Sequence, residues 1–139
     1  MKNNNLQKAK RTGKWAKIMT KWLATYSTKG SKKWQLVSFE GAKGGESTGI
    51  VDIIAIRKEH KPPEKPLKPG DLFEIILIQV KGGNAPFPSE EETLRLKKVG
   101  EYYHAKHVIL AVWKKGKVLT LYSLVNDSWK EIDPKEVFN

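Results

Sequence analysis

The 139-residue sequence has no cysteine, which excludes a disulfide framework and any zinc site built on thiolates. No run approaches the roughly 20 apolar residues that cross a bilayer, and the opening stretch MKNNNLQKAKRTGKW lacks the apolar core of a secretory signal. A cytoplasmic protein without a membrane partner is expected. Acidic residues are missing where it matters more. The first 39 residues carry ten Lys or Arg and no Asp or Glu, leaving 16 basic against 15 acidic residues in the remainder. The net charge of +11 therefore belongs almost wholly to one segment. A field concentrated in this way attracts polyanions, and nucleic acid is the commonest soluble one. The bland alternative is a solvated lysine-rich surface.

The length fits one domain over residues 1–139, with a mobile basic arm at about 1–11. From Gly13 to Thr28 the residues Trp15, Ile18, Met19, Trp22, Leu23 and Tyr26 recur every three or four positions, as on one face of a helix, with Lys14, Lys17 and Lys21 on the other. Thr12 is placed to cap this helix and Gly30 to end it. Trp34 to Phe39 reads as a strand, and so do Ile50 to Ile56 and the nearly continuous apolar run Phe73 to Val80. Between the last two lies KEHKPPEKPLKPG, too rich in proline and charge for a sheet interior. Ser89 with Glu92 three residues later forms a capping-box pattern, opening a second helix that runs to about His104. His107 to Trp113 and Lys117 to Tyr122 are strands joined by the turn KKGK. The tail through Trp129 and Phe138 is left unassigned. The expected class is α/β, a mixed sheet flanked by helices in the order α-β-β-β-α-β-β.

Two polar interruptions of apolar strands carry the chemistry. Asp52 stands inside GIVDIIAI, where an isolated carboxylate is costly unless paired, capped or bound to a cation. Gln79 and Lys81 are two residues apart, so both leave the same face of their strand. If the two strands are antiparallel neighbours, the start of one lies beside the end of the other and the three residues meet. Phosphodiester hydrolysis gives each a task. Mg²⁺ or Mn²⁺ would take oxygens from Asp52, the Gln79 side chain and the Val80 carbonyl, and Lys81 would orient a water or stabilise charge on phosphorus. The bland alternatives are a capped turn or a structural Asp52–Lys81 pair. Other motifs weigh less. GAKGGESTG is followed by a strand rather than the helix of a phosphate-binding loop. His104 and His107 read as surface histidines. Trp15, Trp22, Trp34 and Trp113 read as core, and Trp129 as either core or stacking surface.

This arrangement, with GIVD on the second strand and IQVK on the third, resembles the core of PD-(D/E)xK nucleases from about Trp15 to Tyr122. Within that superfamily IQVKGG, the following SEEETLRLKKVGEYYHAKHVILAVW, the basic charge and the terminal hairpin are similar to small archaeal-type Holliday junction resolvases. The resemblance implies a restriction-endonuclease-like fold, a Mg²⁺- or Mn²⁺-dependent endonuclease acting on DNA, with branched DNA as one substrate, and leaves a homodimer open. It assigns Asp52, Gln79 and Lys81 as catalytic and Asp52, Gln79 and Val80 as metal-holding. The family pattern is broken in three places. Val51 stands before the aspartate instead of proline, Gln79 replaces a carboxylate, and the first helix carries no glutamate, with Gln7 far upstream. Glu40 or Glu46 could supply a further carboxylate, and Ser47 sits where those resolvases carry a serine. Lys8, Lys10, Arg11, Lys14, Lys17 and Lys21 are the expected DNA contacts. A DNA-binding module of the same fold without catalysis, or an assembly protein with merely solubilising lysines, are the competing expectations.

Overall fold

Among the described residues, six strands form one mixed sheet in which neighbours in space follow the order of the chain. The structure, a computed structural model, describes residues 2–28, 32–39 and 48–139, with side chains from residue 13 onward. Helix α1 spans Lys2–Ser27, followed by β1 (Gln35–Ser38), β2 (Ile53–Glu59), β3 (Leu72–Gly82), α2 (Glu90–Tyr102), β4 (His107–Trp113), β5 (Thr120–Val125), β6 (Ser128–Ile132) and the short α3 (Pro134–Phe138). All strand pairs are antiparallel except β3 and β4, which run parallel. A parallel pair needs a crossover, and α2 supplies it.

Period-two alternation divides the apolar residues between the sheet's two faces. Ile53, Ala55, Ile76, Ile78, Ile109, Ala111 and Leu121 form the core with Ala24 of α1 and with Val137 and Phe138 of α3. The alternate residues turn towards α2, among them the buried Leu77 and Leu110. On α2 itself Leu96 and Gly100 are buried, and a Cβ on Gly100 would come within 2.6 Å of Val108 Cγ2. The helix thus meets β4 through a glycine. The capping box at its start is complete, with Glu92 N donating to Ser89 Oγ and Ser89 N to Glu92 Oε1.

A polar cluster fastens the chain's last residues to the strands. Arg57 lies 4.0 Å over the Trp34 ring, donates to Glu74 at 2.6 Å, and also to the carbonyls of Lys32 and Asn139. Trp34 Nε1 in turn donates to Phe138 O. Burial pushes the Glu74 carboxyl up, but the hydrogen bonds and charges of Arg57 and Lys106 outweigh it and hold the group below its ordinary value.

Several expectations need correction. The segment expected as an arm at 1–11 enters α1 from Lys2 onward, so Thr12 lies within the helix rather than capping it. Trp15 and Trp22, expected in the core, are 50% and 55% exposed. The reason is that α1 meets the sheet through Ala16, Thr20, Ala24 and Ser27, small residues that allow close approach, and the tryptophans lie round the helix from that stripe. Thr20 is accommodated because its hydroxyl donates back to Ala16 O. Trp34 is buried, Trp113 packs against the core, and Trp129 reaches across to α2, where its Nε1 donates to Thr93 Oγ1. Residues 50–52 precede β2, and β5 starts at Thr120 instead of Lys117. The unassigned tail forms β6 and α3. Its hairpin turns on Asn126 and Asp127, both at positive φ, as a two-residue turn between antiparallel strands requires. Gly30 and 41–47 of the glycine-rich stretch lie outside the described residues.

Candidate active site

The β2–β3 ladder ends at the pair Ile53–Ile78, one residue short of both Asp52 and Gln79. Asp52 N donates to Ile78 O at 2.9 Å, and Asp52 Oδ2 accepts the Val80 N–H at 2.7 Å. Asp52 therefore brackets Gln79 from both sides. A strand residue directs its N–H and C=O towards the same neighbour, so the Val80 carbonyl also points to the Asp52 side, where β2 has ended. Gln79 and Lys81 leave the opposite face of β3 from Val80 and share the side covered by α2. The structure thus sets Asp52 beside Gln79 and Val80 at the end of the β2–β3 ladder, with Lys81 the next residue along β3.

Burial distinguishes the three. Gln79 is 6% exposed, and its Oε1 has no hydrogen-bond partner among the described residues. An amide oxygen so placed carries a desolvation cost with nothing to offset it. Lys81 is less enclosed, and its Nζ stands 3.6 Å from Glu92 Oε2. Glu92 thereby serves the α2 cap and the lysine with one carboxylate. The Ser89 backbone N–H first holds its pKa below the ordinary value; desolvation opposes this, and the Lys81 charge adds to the lowering.

Sequence reading found Glu92 as a capping residue but not as the partner of Lys81. Nothing in the pattern S-x-x-E signals it, because the contact depends on how the loop through Pro86 and Pro88 returns α2 over β3. Ser38 was also missed. It pairs with Ile53 and its buried Oγ likewise lacks a partner among the described residues. Two unpartnered buried oxygens therefore flank Asp52, on opposite faces of the sheet. The expected extra residues Glu40, Glu46 and Ser47 lie outside the described residues.

The donor set fits a hard divalent cation. Among the described residues there is no group of three or more His, Cys, Asp and Glu able to hold a metal; the oxygens on offer are those of Asp52 and of its β3 neighbours, the Gln79 side chain and the Val80 carbonyl. Mg²⁺ keeps most of its waters and takes one or two carboxylates at most, and the unpartnered Gln79 Oε1 is the kind of ligand such an ion satisfies.

Of the expected DNA contacts, Lys17 is tied closely to this centre. Its Nζ donates to Phe39 O at 3.1 Å, and Phe39 N donates to Asp52 O at 2.9 Å. Lys14 is exposed and Lys21 half-buried on the same helix, while the side chains of Lys8, Lys10 and Arg11 lie outside the described set. His104 and His107 do not join the centre; they sit near the opposite end of β4, His107 with its pKa lowered by burial and then by Lys106. No helix is long and apolar enough to cross a membrane among the described residues. Comparison with protein-family models and with curated proteins gives no match, so the chemistry rests on the residues themselves.

Proposed function

We propose that the chain is a metal-dependent endonuclease of the PD-(D/E)xK type that hydrolyses DNA phosphodiesters. The observation that carries the reading is the buried Gln79 Oε1, without a hydrogen-bond partner among the described residues, on a residue bracketed by Asp52 and on the same strand face as a lysine. Three antiparallel strands followed by a parallel one across a helix support a restriction-endonuclease-like core.

Asp52, Gln79 Oε1 and the Val80 carbonyl would hold Mg²⁺ or Mn²⁺, which when bound polarises the phosphate and lowers the pKa of a coordinated water. The chain's own residues do the rest. Asp52 keeps its position through Val80 N–H, so one carboxylate oxygen is committed to the strand. Lys81 presents a positive charge to the phosphate and stabilises the added negative charge that develops on its oxygens. Glu92 orients that ammonium. The basic face of α1 neutralises neighbouring phosphates.

One observation favours a second reading, a DNA-binding module that does not cut. Gln79 contributes no charge where the family pattern has a carboxylate, and α1 has no acidic residue. A cleavage assay on linear duplex, single-stranded and four-way-junction DNA, with Mg²⁺, with Mn²⁺ and with chelator, separates the two. Metal-dependent strand scission supports the nuclease, and binding without scission under all conditions leaves the module.

A further inference from the structure

Helix α1 turns large aromatic side chains to solvent. Trp15, Trp22 and Tyr26 are 50%, 55% and 83% exposed, although residues of this kind ordinarily bury most of their large apolar area. Their spacings of seven and four place them on one stripe of the helix, with the half-buried Ile18 between. Continued towards the N-terminus, the same spacing meets Arg11 and Lys8.

The charge of the helix selects what can cover this stripe. α1 contains seven Lys or Arg and no acidic residue. A second copy of the chain, packed stripe against stripe, would bring together two helices that are basic up to Lys21 and have no acidic residue to offset the repulsion. A polyanion meets no such repulsion, and a nucleic acid strand adds flat bases that stack on indole and phenol rings while its phosphates face the lysines. In a duplex the base faces are already stacked on one another, so only unpaired or splayed nucleotides can use the rings.

We infer that Trp15, Trp22 and Tyr26 form a stacking platform for unpaired nucleotides, so that the favoured substrate contains single-stranded DNA. The inference rests on the DNA reading above and narrows its substrate. The platform's helix abuts the candidate centre, since Lys17 and Phe39 link it to Asp52 by two hydrogen bonds.

The test measures binding of the intact chain, without divalent metal, to fluorescent oligo-dT of about 16 nucleotides and to blunt duplex of equal length. The double variant Trp15→Ala/Trp22→Ala should bind oligo-dT roughly tenfold more weakly or worse, as expected for losing stacked bases, with duplex binding unchanged. The double variant Trp15→Phe/Trp22→Phe, which keeps the rings, should recover most of the loss, and Tyr26→Ala should act in the same direction. Equal losses on both DNA forms, no loss on oligo-dT, or phenylalanine no better than alanine would overturn the platform. So would an Ala double variant that binds oligo-dT normally but loses self-association in sedimentation, or loses binding to anionic lipid vesicles. Because no metal is present, a chain that binds this way yet never cuts refutes the cleavage reading alone.

Discussion

Asp52 and Val80 are joined by a hydrogen bond that stands where the β2–β3 ladder would otherwise continue, Oδ2 accepting the main-chain N–H at 2.7 Å. A side chain thus replaces a strand partner. The substitution ends β2, leaves the Val80 carbonyl on an unladdered edge, and fixes a carboxylate against the strand that carries Gln79 and Lys81. The same contact explains how Asp52 tolerates its apolar neighbours: the hydrogen bond and proximity to polar groups offset the desolvation of its charge.

Gln79 is the residue where stability and function should oppose each other. Its buried Oε1, without a partner among the described residues, carries a cost of about 1–3 kcal/mol, so Gln79→Met, similar in volume, should raise thermal stability without metal by roughly 1 kcal/mol or more. Mg²⁺ should stabilise the wild type, because a ligand that binds only the folded chain shifts the equilibrium, and should not stabilise the methionine variant. Gln79→Glu should reduce the Mg²⁺ concentration needed for cutting, since an added carboxylate strengthens a hard-cation site. Thermal unfolding with and without Mg²⁺, and cleavage against Mg²⁺ concentration, check these outcomes.

Glu92 links helix capping to the lysine. Glu92→Gln keeps an oxygen for Ser89 N–H but removes the charge, and should cost about 0.5–1 kcal/mol at neutral pH, the partly exposed pair with Lys81 contributing only part of it. The sign of the pH effect follows from the lowered pKa. The carboxylate's contribution is complete above the ordinary glutamate value and is lost as pH falls through the lower folded value. Wild-type stability should therefore decline on acidification by more than that of the variant. Denaturant midpoints at neutral and acidic pH measure the difference.

Gly100 tests how α2 lies on the sheet. Alanine in mid-helix normally gains about 1 kcal/mol over glycine, but here its Cβ would stand 2.6 Å from Val108 Cγ2, and valine is stiff at χ1. Overpacking of this kind costs about 1–3 kcal/mol, so Gly100→Ala should be destabilising on balance. In a Val108→Ala background the clash is gone, and the same change should become neutral or stabilising. A double-mutant cycle by chemical denaturation reads the change of sign.

Sequence patterns reached the elements that have strong local signals. The apolar run of β3, the proline-rich β2–β3 connector and the Ser89–Glu92 box are visible because each depends on neighbours in sequence. The placing of Asp52 beside the Gln79 stretch of β3 was also within reach, since an antiparallel connection sets the start of one strand against the end of the other. The outward tryptophans were not. Of the face that helical spacing marks in α1, Met19 and Leu23 do pack against the core, whereas Trp15, Trp22 and Tyr26 stay exposed. Close packing through Ala16, Thr20 and Ala24 decides it, and that depends on the sheet beneath. β6 was obscured because its residues alternate weakly, although Asn126-Asp127 was an available turn signal.

The basic helix should show itself in salt dependence. Log affinity for DNA should fall linearly with log salt, with a slope of about 0.9 for each phosphate neutralised on duplex. Replacing Lys8, Lys10, Arg11 and Lys14 together by Ala should weaken binding to all sequences and flatten the slope by up to about 3–4. Titrations at several salt concentrations measure it, and an unchanged slope would assign these residues to solubility.

Cleavage by Asp52→Asn and Lys81→Ala, measured beside DNA binding and folding of the same proteins, tests the central claim most directly. An amide in place of Asp52 keeps an oxygen for the Val80 N–H while losing the charge, and Lys81 is partly exposed with an exposed-side partner in Glu92; both variants should fold. The account predicts that wild type cuts DNA only with Mg²⁺ or Mn²⁺, and that each variant loses cutting while its DNA affinity and circular dichroism stay close to wild type. Asp52→Asn cutting as fast as wild type, or a wild type that cuts no form of DNA with either metal, would contradict it.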